Sequence, residues 1–230
     1  MATERPGTLI GTGRNADVYD VGGGRVLRRY RDGRDPAAVE REGQVMTHAR
    51  AHGVPVPEVF EVSGSDIVME RATGPTMLDV LGRRPWTLRR QARLLARLHA
   101  TVHRTPPPPG IRALHDDDGA DGQVLLHRDL HPDNVILTSA GPVIIDWEGA
   151  ARGPAMYDVA WTWAILASSE VPESGPATVV VRTLQAQFTR SFVRAAGPID
   201  ELSRARAVRD RIVDHNVLPA ERARLERLPH

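Results

Sequence analysis

An α+β fold in two lobes is predicted by three features of the chain. Short strands with Gly-rich turns fill residues 9–30 and 59–70, helical spacing dominates 72–104 and 178–228, and a compact strand–turn–strand occupies 135–145. The first lobe, 1–71, reads as a small antiparallel sheet with one helix. The second, 72–230, reads as mainly helical and carries the β-hairpin. At 230 residues the chain is long enough to bury a substantial core.

Residues 9–19, L-I-G-T-G-R-N-A-D-V-Y, read as a strand, a Gly-rich turn and a second strand. Backbone N–H groups around Gly11, Gly13 and Asn15 in such a turn can cover nucleotide phosphates. After a second turn at 22–24, the strand 26–30 alternates its faces and puts Val26 and Arg28 on one side. Val26 is placed to floor a base and Arg28 to reach phosphates. From Asp35-Pro36 to about His52 the pattern is helical, with Val39, Glu42, Val45, Met46 and Ala49 on one face and Gly53 beyond the end. Glu42 on that apolar face needs a cation, and Arg28 is the expected partner. Two further strands, 59–62 and 66–70, turn at Ser63-Gly64-Ser65. Strand character ends near Arg71, and the chain up to Arg104 reads as helix with Leu94, Leu95 and Leu98 inward. Four prolines at 106–109 form a stiff spacer. An acidic run follows at Asp116, Asp117, Asp118 and Asp121. Near Tyr157 another helix opens, with Asp158 expected to cap it or to brace the loop before the hairpin.

Composition narrows the function. There is no cysteine, hence no disulfide, thiolate metal site or thiol nucleophile. A net charge of +1 supplies no field that would draw nucleic acid or a membrane. The N-terminus lacks an apolar stretch behind a basic start, and the longest apolar run, about 159–167, is too short to span a bilayer. A cytoplasmic location is expected. All 30 basic side chains are arginine.

The most specific signal is H-R-D-L-H-P-D-N at 127–134, followed twelve positions after its Asn by V-I-I-D ending at Asp146. Moving a phosphoryl group requires little covalent chemistry and much placement of charge: a carboxylate for the attacking hydroxyl, and oxygens for Mg²⁺. Asp129 is the expected base, and Asn134 and Asp146 the expected metal ligands. If the hairpin turns about Ala140, cross-strand partners have numbers summing to 280, so Val135 faces Ile145 and Asn134 faces Asp146 at roughly 5 Å. Asp129 then sits on the entering loop, away from the metal ligands.

These residues resemble the aminoglycoside phosphotransferase and choline kinase group, relatives of protein kinases in which the loop reads H-x-D-x-x-x-x-N and I-D-[WF] follows. The match runs from Gly11 to Trp161 and includes Glu42, the 69–72 hinge, Gly74-Pro75-Thr76 and Asp158-Val159-Ala160. The resemblance implies a protein-kinase-like fold and a phosphotransferase using ATP, or alternatively GTP, with Mg²⁺. It implies Asp129 as base, Asn134 and Asp146 on Mg²⁺, Arg28 and Glu42 organising phosphates, and Glu70 to Ala72 offering backbone contacts to adenine. The expected acceptor is a hydroxyl of a small molecule, antibiotic or metabolite.

Three departures qualify that reading. Arg28 stands where the family usually has Lys, and the two are not interchangeable at a phosphate site. The helical lobe is short. The tail, 182–227, carries more Arg than Asp plus Glu, which disfavours a polycationic acceptor. A second hypothesis is therefore a catalytically impaired nucleotide-binding protein with a scaffold or regulatory role. A protein-substrate kinase is disfavoured because 147–158 is too short for an activation loop. The acceptor and the oligomeric state leave no motif in the sequence.

Overall fold

The computed structural model describes residues 7–31, 33–115, 122–169, 176–214 and 217–228; the acidic run at 116–118 and 121 lies outside them. The chain opens with three antiparallel strands, β1 (Thr8–Thr12), β2 (Ala16–Gly22) and β3 (Arg25–Tyr30). The expected turn is smaller than predicted. Gly11 lies inside β1 beside a bulge, and Gly13 N–H closes the turn onto the Ala16 carbonyl at 2.8 Å. Helix α1 (Pro36–Ala51) begins at Asp35, whose side chain accepts from Ala37 N–H, with Pro36 in the first turn. Its buried face is Val39, Glu42, Gly43, Val45, Met46 and Ala49, as the spacing predicts. A β-carbon at Gly43 would lie 2.5 Å from Val62, so glycine is what lets this helix settle on the sheet. Strands β4 (Val59–Ser63) and β5 (Asp66–Glu70) complete a sheet of order β1-β2-β3-β5-β4. Arg28 is thus on a central strand, opposite Ile67, while Val26 is opposite Met69.

The stretch up to Arg104 is not one helix. It divides into α2 (Met77–Arg83), a single 3₁₀ turn at Pro85–Thr87, and α3 (Leu88–His103). Pro85 causes the break, since it has no N–H and excludes helical backbone at Arg84 (φ −138°, ψ 66°). Thr76 and Asp79 form a reciprocal capping box at the start of α2. Leu95 and Leu98 are buried as expected, and Leu94 is half-buried.

Strand β6 (Gln123–Leu126) leads into the H-R-D loop, β7 (Val135–Thr138) and β8 (Gly141–Ile144) form the hairpin, and β9 (Ala151–Pro154) returns to pair with β6. The hairpin register differs from the prediction by one residue. Its pairs are Val135 with Ile144 and Thr138 with Gly141, so the loop is Ser139-Ala140 alone. Thr138 tightens it: its hydroxyl donates to the Gly141 carbonyl at 2.8 Å and accepts from Ala140 N–H at 3.1 Å. Asn134 consequently faces Ile145, whose N–H donates to the Asn134 carbonyl at 3.0 Å, and Asp146 falls beyond the ladder.

Helices α4 (Ala155–Ser168), α5 (Pro176–Ala196), α6 (Glu201–Val213) and α7 (Pro219–Leu225) follow. Helix α4 is buried on nearly all sides, between α5, α6 and α7. One apolar core runs from Val26, Val39 and Ile67 under the sheet to Leu95, Ile144, Trp161 and Phe192 among the helices. The link between sheet and hairpin is close: Leu137 N–H donates to the Pro75 carbonyl at 2.9 Å, and a β-carbon on Gly74 would lie 2.3 Å from the Leu137 carbonyl oxygen. No helix among the described residues is long and apolar enough to cross a membrane.

Candidate active site

Strand β6 leads directly into His127, which is fully buried. Its Nδ1 accepts from Asp129 N–H at 3.2 Å, which assigns the proton to Nε2, and Nε2–H donates to the Ile145 carbonyl at 3.1 Å. His127 thereby ties the loop to the residue preceding Asp146. Asp158, in the first turn of α4 and fully buried, accepts from the backbone N–H of His127 at 3.1 Å and of Arg128 at 2.7 Å. It braces the loop; the helix cap position is Pro154. His103 Nε2 lies 3.0 Å from the same carboxylate, and buried His99 3.6 Å from it.

These buried groups make stability acid-sensitive. Burial lowers the pKa of His99 and of His127 below the ordinary 6.5, against the pull of Asp158. Burial would raise Asp158, but contacts from His103 and His99 outweigh it and hold the carboxyl well below 3.8. In acid the unfolded chain takes up protons on its histidines first, and later on this aspartate. Thermal stability is therefore expected to fall as pH drops below 6.5 and again below 3.8. A calorimetric Tm that stays flat or rises from about pH 7 to about pH 5 would contradict this account.

Asp129 has a half-exposed side chain. Asn134 Nδ2 donates to its carboxylate at 2.9 Å and to its carbonyl at 2.8 Å, and His131 Nε2 stands 3.6 Å from Oδ2. Partial burial would raise the Asp129 pKa; the hydrogen bond and charge of His131 outweigh it and keep the group below 3.8. It is an ionised acceptor at neutral pH. The predicted base and the predicted ligand Asn134 are in direct contact, where the sequence had separated them. Among the described residues no donor reaches Asn134 Oδ1, which leaves that oxygen available.

Asp146 adopts φ +67° and Arg128 φ +65°. Left-handed backbone at non-glycine residues costs about 1–3 kcal/mol each and collects at functional sites. At Asp146 the bend takes the chain off β8 towards Arg28. Arg28 NH1 pairs with Glu42 at 2.8 Å, as expected, and NH2 with Asp146 Oδ1 at 2.6 Å, which was not foreseen. Burial would lower the Arg28 pKa, but Glu42 and Asp146 together raise it above its ordinary value. Burial raises Glu42, opposed by Arg28 and by the Tyr30 hydroxyl that donates to it. Sequence reasoning did not single out Tyr30. Glu148 was also missed, although its position two residues after Asp146 was a signal: Asn15 Nδ2 donates to it at 3.2 Å and Arg34 pairs with it at 2.6 Å.

A cleft of about 1690 Å³ separates the sheet from the helices. Gly11, Gly13, Asn15, Val26, Arg28, Glu42, Glu70 and Ala72 line it from one side; Asp129, Asn134 and Asp146 line it from the other. The structure thus brings all eleven predicted residues to one space. The Glu70 carboxylate itself is engaged with Glu58 N–H at 3.2 Å and Arg50 at 3.3 Å.

A model described as the phosphotransferase enzyme family matches residues 7–121 and 111–206. The chain belongs to the phosphotransferase enzyme family. Thiamine kinase of Salmonella paratyphi B is 50% identical over 38 residues, which are 16% of this chain and 14% of that protein. The chain therefore matches only about a seventh of the length of the curated relatives. Solved structures of this fold align far more fully. Aminoglycoside phosphotransferase APH(4)-Ia superposes with a TM-score of 0.62 at 19% identity, over 95% of this chain and 91% of the other. A choline/ethanolamine kinase family protein from Mesorhizobium loti gives 0.58 at 17%, over 97% and 87%. The complex of gentamicin with APH(2")-IIa gives 0.62 at 12%, over 96% and 91%. At these identities the likeness to family structures is one of fold, a kinase-like architecture with a small sheet lobe.

Proposed function

We propose that this protein is a small-molecule kinase that transfers the γ-phosphoryl group of ATP, with GTP as the alternative donor, to a hydroxyl. The observation that carries the reading is the meeting of ionised Asp129, Asn134 and Asp146 with the Arg28–Glu42 pair in one cleft of a phosphotransferase-family chain. A solved structure of the same fold, a thermostable mutant of APH(4)-Ia, is a ternary complex with AMP-PNP and hygromycin B. Val26 and Met69 offer apolar wall for a base, and the backbone at Glu70 to Ala72 offers hydrogen bonds to its edge.

The residues fit Mg²⁺. Asp146 is about one-third exposed and gives Oδ1 to Arg28, which leaves Oδ2, and Asn134 retains Oδ1; both are hard oxygens. Bound there, the ion supplies charge neutralisation on the phosphate oxygens. Asp129 receives the proton of the acceptor hydroxyl, and the Asn134 amide holds its carboxylate in position. The acceptor enters from the helical side, past Trp161 and Arg211, which line the same cleft.

A second reading, a nucleotide-binding protein without turnover, is favoured by one contact, because Arg28 at 2.6 Å already neutralises Asp146. The experiment that separates them is phosphate transfer from ATP and from GTP with Mg²⁺ across aminoglycosides, macrolides, thiamine and choline-like amines, sugars, hydroxy acids and nucleosides. Transfer to one class supports the kinase; nucleotide binding without transfer to any class supports the second reading.

A further inference from the structure

We propose that Arg112 and Arg128 form an oxyanion subsite in this cleft, and that the acceptor carries a carboxylate or phosphate group which binds there. The inference rests on the phosphotransferase reading above. Two guanidinium groups converge on one backbone oxygen: Arg112 NH2 donates to the Gly149 carbonyl at 3.1 Å and Arg128 NH1 to the same oxygen at 3.5 Å. Neither has a carboxylate within 4 Å among the described residues, whereas other arginines of this region are paired, Arg34 with Glu148 at 2.6 Å and Arg41 with Asp35 at 3.5 Å. Two like charges sharing one neutral acceptor repel each other, and an oxyanion in a bidentate grip relieves the repulsion.

The surrounding charges sharpen the imbalance. Arg34, Arg41 and Arg128 all act on Arg112, and Glu148 is the acid that opposes them. Arg112 is exposed at the cleft rim and Arg128 half-buried beside Tyr157 and the Trp161 ring, 5.2 Å from its centroid. The second observation is backbone strain. Arg128 has φ +65°, a conformation glycine adopts freely, so a guanidinium stands at a position whose backbone favours glycine.

The location suits an acceptor. Gly149 packs on the loop so tightly that an added β-carbon would lie 3.2 Å from the His127 carbonyl oxygen. The subsite therefore sits against the segments that carry Asp129, the next residue after Arg128, and Asp146, three residues before Gly149. An acceptor anchored there by its anion presents its hydroxyl near Asp129.

The test begins with calorimetric titration of the full chain, saturated with AMP-PNP and Mg²⁺, with inorganic phosphate and separately with malonate. Saturable binding is expected, weakened by about tenfold or more in Arg112→Gln and in Arg128→Gly. Arg128→Gly suits the positive φ, so its Tm should not fall, and lost binding then reports the guanidinium. Absence of saturable binding, or binding indifferent to both substitutions, overturns the proposal. So does phosphate or malonate binding seen only without AMP-PNP, which would assign the arginines to nucleotide phosphates. The second arm compares kcat/KM for matched acceptors with and without the anionic group. Preference for the anionic member through KM, lost in both variants, supports an acceptor-borne anion; equal use of both members overturns it in favour of a free anion. Asp129-dependent transfer surviving any of these failures would leave the kinase reading intact.

Discussion

Asp129→Asn is expected to lower phosphate transfer by about 10²–10⁴-fold while leaving nucleotide affinity nearly unchanged. The substitution is close to isosteric, and the amide oxygen of the new side chain can still accept the Asn134 Nδ2 hydrogen bond, 2.9 Å in the parent. What disappears is the negative charge, which contacts with His131 keep ionised at neutral pH in a partly buried position. An uncharged residue cannot take the hydroxyl proton, so the loss should fall on kcat. Nucleotide binding uses residues across the cleft and should be spared, as calorimetry with AMP-PNP would read. Unaltered kcat in the variant would remove Asp129 from the mechanism and require another group to take the hydroxyl proton.

Arg28→Ala is expected to destabilise the fold by about 3–5 kcal/mol, because it leaves a buried carboxylate without its cation. The Glu42 side chain is 1% exposed, with Arg28 as its ionic partner at 2.8 Å and the Tyr30 hydroxyl as its remaining donor. The loss should depend on pH in a particular direction. Burial already raises the Glu42 pKa above 4.5, and without Arg28 it rises further. The folded variant then holds a proton that the unfolded chain releases, so the loss is smallest near pH 4.5 and grows as pH increases. Glu42→Gln in the Arg28→Ala background should restore part of the stability at neutral pH. Denaturant unfolding of the parent and the two variants at about pH 5 and about pH 8 checks both magnitude and sign. A loss below about 1 kcal/mol at the higher pH would mean that the pair is solvated.

Much of this protein is legible in its sequence alone, and the reason is locality. Helix α1 starts at Asp35-Pro36 and stops before Gly53 because capping and φ preferences act over a few residues. Val39, Glu42, Val45, Met46 and Ala49 share its buried face because the helical repeat puts them there, and alternation in β3 sends Arg28 towards that face. The H-R-D-L-H-P-D-N loop and the strand leading to Asp146 were recognisable as one chemical unit from their order and spacing. Asp158 was expected either to cap α4 or to brace the loop, and its hydrogen bonds from His127 and Arg128 N–H decide for the brace.

Other features depend on which groups meet in three dimensions, and residue type and periodicity do not encode them. The one-residue change in hairpin register turns on the Thr138 hydroxyl closing a two-residue loop instead of a three-residue one. The pairing of β6 with β9, the Tyr30 hydroxyl on Glu42, and the shared hydrogen bond of Asn134 with Asp129 all arise from packing. The contact between Arg28 and Asp146 spans 118 residues and requires the left-handed bend at Asp146. Arg112 and Arg128 meet at Gly149 because the segment carrying Arg112 is pinned beside Arg152, whose N–H donates to the Arg112 carbonyl at 3.0 Å and whose carbonyl accepts from Leu114 N–H at 2.8 Å. Composition and short-range periodicity specify which elements form and which faces they bury. Which charges meet across the cleft is set by tertiary packing, since Coulomb interactions act through space over a few ångströms, and sequence separation says little about such distances.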